Sequence, residues 1–130
     1  MSFTDIFEAV QKGTIEDVKF YIEKKDIDVN VRTKEGLTPL FAAVSIGNIE
    51  VAKYLISVGA DVNLRSNVGM PPLFFAVAIP NRDIDIIKLL VSAGADVTAK
   101  FGEYDWTALR QAESVGTAEI VRYLSSLDAG

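Results

Sequence analysis

The feature that most constrains this chain is a short phrase written three times. GLTPLFAA occupies residues 36–43, GMPPLFFA occupies 69–76 and DWTALRQA occupies 105–112. The copies begin 33 and then 36 residues apart. Self-similarity at a period of roughly 20 to 50 residues marks stacked supersecondary units. We therefore expect a series of similar slabs that share a continuous core, because no single unit is large enough to bury its own apolar face.

Two further phrases repeat at the same period and divide the whole chain. SVGADVN returns as SAGADVT, with a worn copy IDVN in the first unit, and GNIEVAKYLI matches GTIEDVKFYI and GTAEIVRYLS. The units that these phrases define are approximately 1–32, 33–65, 66–100 and 101–130. The outer units are less regular and carry polar residues of the kind that terminal units need on their outer faces. We expect one domain over 1–130, a complete stack with an N-terminal and a C-terminal cap.

Within a unit, local signals predict two short helices followed by an extended loop. Thr38 can cap the first helix, and Pro39 fits its first turn, where a missing N–H has no consequence. Gly47 and Gly59 stand where the two helices should end. Residues 60–69 are rich in turn formers and lack helical periodicity.

Apolar residues at helical spacing predict which side of each helix is buried. For the first helix of the second unit these residues are Leu40, Ala43 and Val44. For its second helix they are Val51, Tyr54, Leu55 and Val58.

Composition narrows the possible functions. The 130 residues include neither cysteine nor histidine, which removes disulfides, thiolate metal sites and the commonest proton-transfer side chain. No phosphate-cradling glycine motif is present. The net charge of −5 argues against nucleic-acid binding. The N-terminus lacks a secretory signal, and the longest apolar stretch is too short to span a bilayer. We expect a cytoplasmic protein that is no enzyme, with no cofactor, no metal and no membrane contact.

One acidic residue recurs just after the second helix of three units, as Asp28, Asp61 and Asp96. These carboxylates could act as ligands or bases. Aspartate also commonly bonds local backbone where a helix gives way to a turn, and a catalytic group need not follow the structural period. We therefore expect a structural role.

The combination of TPL, GADVN and a period near 33 residues resembles the ankyrin repeat. The resemblance covers residues 4–127 and implies an all-α solenoid of stacked helix-turn-helix units with projecting β-hairpin loops. Four departures stand out. The signature histidine is replaced in every unit, the signature threonine is Pro71 in the third unit, residues 79–82 lengthen a turn, and the loop after the third unit gains one residue near 101–104.

The resemblance also implies a concave surface, made by the hairpin loops and the first helices, on which a partner protein binds. The residue before the Thr-Pro slot is apolar in every unit, as Phe3, Leu37, Met70 and Trp106. A basic row accompanies it. By position, the expected partner-binding residues are Arg32, Lys34, Leu37, Arg65, Asn67, Met70, Lys100, Tyr104 and Trp106. Tryptophan, tyrosine and arginine often carry binding energy. The alternative is that the apolar residues pack between adjacent loops and the charges only solvate the tips.

These expectations favour a non-enzymatic interaction module with a scaffolding or regulatory role. Its partner would be a protein with an exposed apolar segment flanked by acidic residues, and the chain alone would be a monomer. Two other functional hypotheses remain open. One is a self-associating structural protein, and the other is a small-molecule-binding or enzymatic protein.

Overall fold

The computed structural model describes residues 5–79, 83–115 and 117–128. The chain divides into two compact structural units that are larger than the sequence repeats. The first unit is Met1–Asp61 and the second unit is Val62–Gly130. Within the described ranges the regular structure is helical and contains no strand, so the expected all-α class is confirmed. The turn around residues 80–82, expected to be lengthened, lies outside these ranges, as does Phe3.

The first unit contains two helical pairs. Helix α1 spans Ile6–Lys12, and α2 spans Ile15–Lys19 and runs into a π-helical turn at Phe20–Lys24. Helix α3 spans Pro39–Ile46 and α4 spans Ile49–Ser57. The first helices of the two pairs, α1 and α3, pack on each other, and α2 packs on α4. This is the side-by-side stacking that the repeat predicted.

The second unit is built in the same way. Helix α5 spans Pro72–Ala78, α6 spans Ile84–Ser92, α7 spans Ala108–Val115 and α8 spans Ala118–Asp128. Helix α5 packs on both α6 and α7, and α7 packs on α8. The first helices α5 and α7 of the two pairs therefore pack on each other, as α1 and α3 do in the first unit.

The local helix signals are confirmed in the first unit. The Thr38 hydroxyl accepts the N–H of Phe41 at 3.4 Å, and Pro39 occupies the first turn of α3. Gly47 and Gly59 adopt φ angles of 77° and 107° at the two helix ends. In the second unit Pro71 stands in the cap position and forms no side-chain cap.

The buried faces follow the periodicity with one exception. Leu40, Ala43 and Val44 are buried in α3, as predicted. In α4, Val51 and Leu55 are buried, whereas Val58 is exposed and the prediction for it was wrong. Helix α4 ends at Ser57, and Val58 is the C-cap residue at the end of the helix, where it is exposed.

Two of the three recurring aspartates, Asp28 and Asp96, hold local backbone, as expected. Asp28 accepts the N–H of Asn30 at 2.9 Å, and Asp96 accepts that of Thr98 at the same distance. Asp96 also accepts the Thr98 hydroxyl at 2.7 Å. This hydroxyl, followed by the Thr98 N–H, lowers the pKa of Asp96 because both stabilise the ionised carboxylate.

Two asparagines, which sequence reasoning missed, tie each loop to the following repeat. Asn30 donates through Nδ2 to the carbonyl of Gly59 at 3.2 Å and accepts the N–H of Asp61 at 2.9 Å. Asn63 does the same with the carbonyl of Gly94 and the N–H of Asp96, at 3.1 and 2.8 Å. These paired bonds fix the spacing of the loop bases inside each unit.

Candidate functional site

Two of the three connecting loops share one geometry. In residues 33–37, the N–H of Thr33 donates to the carbonyl of Leu37, and the N–H of Leu37 donates to the Thr33 hydroxyl, at 2.9 and 3.2 Å. In residues 66–70, Ser66 and Met70 form the same two bonds at 3.0 and 3.3 Å. The hydroxyl accepts the last N–H of the loop, while the carbonyl of the same first residue accepts the N–H of the loop glycine. We call these the regular loops.

The third loop, residues 101–106, has one residue more and closes differently. Phe101 and Trp106 form an isolated antiparallel bridge, with N–H to carbonyl distances of 2.9 and 3.1 Å. The N–H of Asp105 donates to Gly102 instead of to the first residue. The carbonyl of Phe101 accepts the N–H of Trp106, so the first residue of this loop does not use a side-chain hydroxyl as acceptor. An aromatic side chain can stand there instead.

That aromatic side chain forms part of a cleft. The ring of Phe101 meets the ring of Phe74 edge-on, with centroids 5.0 Å apart. Phe74 is buried in α5, whereas Tyr104 at the loop tip is 76% exposed. The open cleft between loop and helices has a volume of about 280 Å³. Its lining residues are Phe74, Phe101, Gly102, Glu103, Tyr104, Trp106 and Gln111.

A positive charge lies beside this cleft. The guanidinium of Arg110, in the first turn of α7, stands 5.3 Å from the centre of the Trp106 ring. Its ion pair with Glu113 is long, at 3.8 Å, and both side chains are largely exposed. Such exposed pairs contribute little. Arg110 thus contacts both the Trp106 ring and the Glu113 carboxylate.

Arg65 joins the second loop to the base of the third. Its Nη1 atom donates to the carbonyl of Gly69 and to the carbonyl of Lys100, each at 3.0 Å. The residue is exposed, and its charge also lowers the pKa of Asp96, although less than Thr98 does. Arg65 therefore supports the loop edge in addition to any contact it makes with a partner.

The structure places the predicted site residues at the surface of both units. Six of them are exposed, namely Arg32, Lys34, Arg65, Asn67, Lys100 and Tyr104. The three apolar residues Leu37, Met70 and Trp106 are half-buried. Tyr104 and Trp106 come together in the cleft, and Arg65 meets the backbone of Lys100. Arg32, Lys34 and Leu37 belong to the first unit, so their role in binding stays a prediction.

Sequence reasoning missed Phe74, Phe101, Arg110 and Gln111 as neighbours of Tyr104 and Trp106. Phe74 is distant in sequence from Phe101, Tyr104 and Trp106. Neither Phe74 nor Phe101 stands at a repeat position expected to contact a partner. One signal was available. An aromatic residue replaces the Thr or Ser of the regular loops at the point where the chain gains a residue.

The chain offers few groups for other chemistry. Among residues 5–79, 83–115 and 117–128, no three acidic side chains cluster in a way that could hold a metal ion. Over the same ranges, no helix combines the length and the hydropathy that crossing a bilayer requires.

The family profile described as Ankyrin repeats (3 copies) matches residues 6–101. The chain belongs to the ankyrin repeat family. Ankyrin repeats are generally protein–protein interaction modules, and the family is typically non-enzymatic.

Three relatives match this chain over different lengths. A putative ankyrin repeat protein of fowlpox virus is 33% identical over 121 residues, which cover 92% of this chain and 20% of the relative. Alpha-latrocrustotoxin-Lt1a of Latrodectus tredecimguttatus is 49% identical over 55 residues, 42% of this chain and 4% of the toxin. Human protein phosphatase 1 regulatory subunit 27 is 44% identical over 55 residues, 42% of this chain and 35% of that subunit. The chain thus spans 4%, 20% and 35% of the length of the toxin, the viral protein and the phosphatase subunit.

Proposed function

We propose that this ankyrin chain is a non-enzymatic module that binds a partner protein on its loop edge, with a scaffolding or regulatory role. The loop edge denotes the side chains of the two connecting loops of the second unit, residues 66–70 and 101–106, and the basic residues Arg65 and Lys100 before them. The observation that carries the proposal is the pairing of fixed backbone with exposed tips. The loops are closed by bonds of 2.8 to 3.3 Å, while Val68 and Tyr104 at the tips are 75% and 76% exposed.

Fixed loops favour binding because little conformational entropy is lost on association. Exposed aromatic and aliphatic side chains next to arginine and lysine match the composition that protein interfaces favour. A standard interface would bury about 800 Å² on each partner. The name of one relative, a phosphatase regulatory subunit, supports a regulatory use of this kind of module.

Regulation would act by tethering the partner or by covering part of its surface. We propose a partner with an exposed apolar segment and acidic neighbours, because exposed cations accompany the apolar loop residues. The chain without its partner is proposed to be a monomer. Sedimentation that depends on concentration would instead favour a self-associating structural protein.

The test is affinity capture with loop-edge variants and a matched control. Tyr104→Ser and Lys100→Glu alter exposed side chains of the third loop and its base, whereas Arg122→Glu alters an exposed residue of α8. Capture of the same partner should fall strongly with the first two variants and persist with the third. All three should keep the wild-type circular-dichroism spectrum. Equal capture by all variants would contradict the proposed binding edge.

Arg65→Glu and Trp106→Ala are less suitable as first variants. Arg65 bonds two loop carbonyls, and Trp106 closes the third loop and lines its cleft. Loss of capture in either variant would combine lost contact with lost support.

A further inference from the structure

We propose that the third-loop cleft is an anchor pocket for one bulky apolar side chain, followed by a carboxylate, in an extended segment of a partner protein. The third-loop cleft is the open cleft described above, lined by Phe74, Phe101, Gly102, Glu103, Tyr104, Trp106 and Gln111. The inference rests on the proposed function and deepens it. It assigns one place on the loop edge and one chemical pattern in the ligand.

The shape and lining of the cleft point to an apolar occupant. Four aromatic residues line it, namely the buried Phe74, the half-buried Phe101 and Trp106, and the exposed Tyr104. Aromatic side chains in a partly desolvated pocket are the usual setting for a binding hot spot. A volume of about 280 Å³ is near the low end for small-molecule sites, which suits a single side chain better than a cofactor.

The charges beside the cleft favour a carboxylate on one side of that anchor. The guanidinium of Arg110 lies over the Trp106 ring, and its ion pair with Glu113 is long and exposed. A planar guanidinium binds a carboxylate with two parallel hydrogen bonds. Glu103 lines the loop side of the cleft. The carboxylate of the ligand is therefore placed towards α7, and a second acidic residue towards the loop would be repelled.

The loop is held ready for this contact at some strain. Asp105 has a φ of 52°, a left-handed conformation that residues with side chains seldom adopt. The Phe101–Trp106 bridge and the Phe74–Phe101 ring contact hold this conformation in place. Backbone strain that the surrounding structure maintains is frequent at binding sites.

The test uses the whole chain and the fluorescence of Trp106, its single tryptophan. The probes are three blocked, tryptophan-free peptides with the cores Gly-Phe-Glu-Gly, Gly-Ser-Glu-Gly and Gly-Phe-Lys-Gly. The Phe-Glu peptide should change the emission saturably. The Ser-Glu peptide should bind at least about tenfold more weakly, since its anchor is missing. The Phe-Lys peptide should bind about three- to tenfold more weakly, since it faces Arg110.

Variants of the protein keep the test specific. Tyr104→Ser should weaken Phe-Glu binding about fivefold or more, as expected for an aromatic contact. Val58→Ser removes an exposed apolar side chain at the end of α4, outside the loop edge, and should leave binding unchanged. Arg110→Glu should reverse the preference between the Phe-Glu and Phe-Lys peptides. Because Arg110 and Tyr104 are exposed, these variants are expected to fold, which thermal unfolding checks.

The outcomes separate this inference from the proposed function. Equal responses to all three peptides, or equal losses with Val58→Ser and Tyr104→Ser, would overturn the anchor pocket. If capture of the partner still depends on the loop edge, the interaction module stands without the anchor. If capture is independent of the loop edge, the proposed function fails, whatever the peptides do.

Discussion

The two regular loops and the third loop connect equivalent repeats, yet they meet the same backbone requirement in different ways. Residues 33–37 and 66–70 each use a hydroxyl to accept the last N–H of the loop, and residues 101–106 use a backbone carbonyl. The first solution uses an opening residue whose side-chain oxygen accepts an N–H, here Thr33 or Ser66. The second permits Phe101, whose ring then packs on Phe74. One added residue thus converts a turn into the wall of a cleft.

The glycine position of the loops shows the same difference. Gly36 and Gly69 have φ angles of 81° and 85°, and the corresponding Asp105 has 52°. Glycine adopts this region at no steric cost, whereas other residues are strained there. The regular loops are therefore locally relaxed, and the third depends on its contacts with α5 and α7. The following predictions test this division, from the largest expected effect to the smallest.

Phe101→Ala should lower the free energy of unfolding by about 2 kcal/mol. Full removal of a buried Phe ring costs about 3 to 5 kcal/mol, and Phe101 is only half-buried. Equilibrium urea unfolding measures the change. Val68→Ala in a regular loop is the control, with an expected change within about 0.5 kcal/mol. Similar losses for both variants would mean that the third loop is no better anchored than the regular ones.

Gly69→Ala should destabilise the chain by about 1 to 2 kcal/mol, the usual cost of a left-handed residue with a Cβ. No atom lies within 4 Å of the added methyl group, so the effect isolates backbone strain from crowding. Thermal unfolding provides the measurement. An unchanged melting temperature would show that the regular loop tolerates another conformation, contrary to its hydrogen-bond pattern.

Asp105→Gly should act in the opposite direction and stabilise the chain by about 0.5 kcal/mol. Relief of strain is partly offset by the greater freedom of glycine in the unfolded chain. The same unfolding experiment tests it, with Glu103→Gly as a control in the same loop. Destabilisation by Asp105→Gly would indicate that the aspartate side chain makes a contact that outweighs its backbone strain.

Thr98→Val should produce the smallest loss in the free energy of unfolding. The loss should appear only above acidic pH. The lowered pKa of Asp96 means that its ionised form stabilises the fold above the pKa of the unfolded chain. This contribution is lost as the pH falls through the folded-state pKa. Without the Thr98 hydroxyl, the pKa of Asp96 should rise, which carboxyl NMR titration measures. The stability difference between variant and wild type should shrink towards low pH. A constant difference across the titration would exclude this carboxylate as its source.

The sequence predicted what depends on neighbours along the chain. The Thr38 cap, the glycine helix ends and the buried face of α3 follow from local rules, and each is confirmed. Val58 was misassigned because the helical pattern does not show that α4 stops at Ser57. Periodicity gives a direction for each side chain only while the helix continues.

The contacts between repeats were much harder to predict. Asn30 and Asn63 bond backbone groups about 30 residues away, and nothing in their local sequence names those acceptors. The cleft needed Phe74, Phe101 and Arg110 to meet Trp106, which only the packing of α5 and α7 decides. The extra loop residue was visible in the sequence. Its consequence for Phe101 became clear only from the hydrogen bonds.

The most direct test of this account is a loop exchange followed by quantitative capture of the partner. In one variant the sequence SNVGM of residues 66–70 replaces residues 101–106, and in the other it replaces residues 33–37. Both should fold, as judged by circular dichroism. We predict that the first loses most of its affinity while the second keeps it within about threefold, since it exchanges one regular loop for another. Equal affinities for the two variants would contradict the proposal that the third loop anchors the partner.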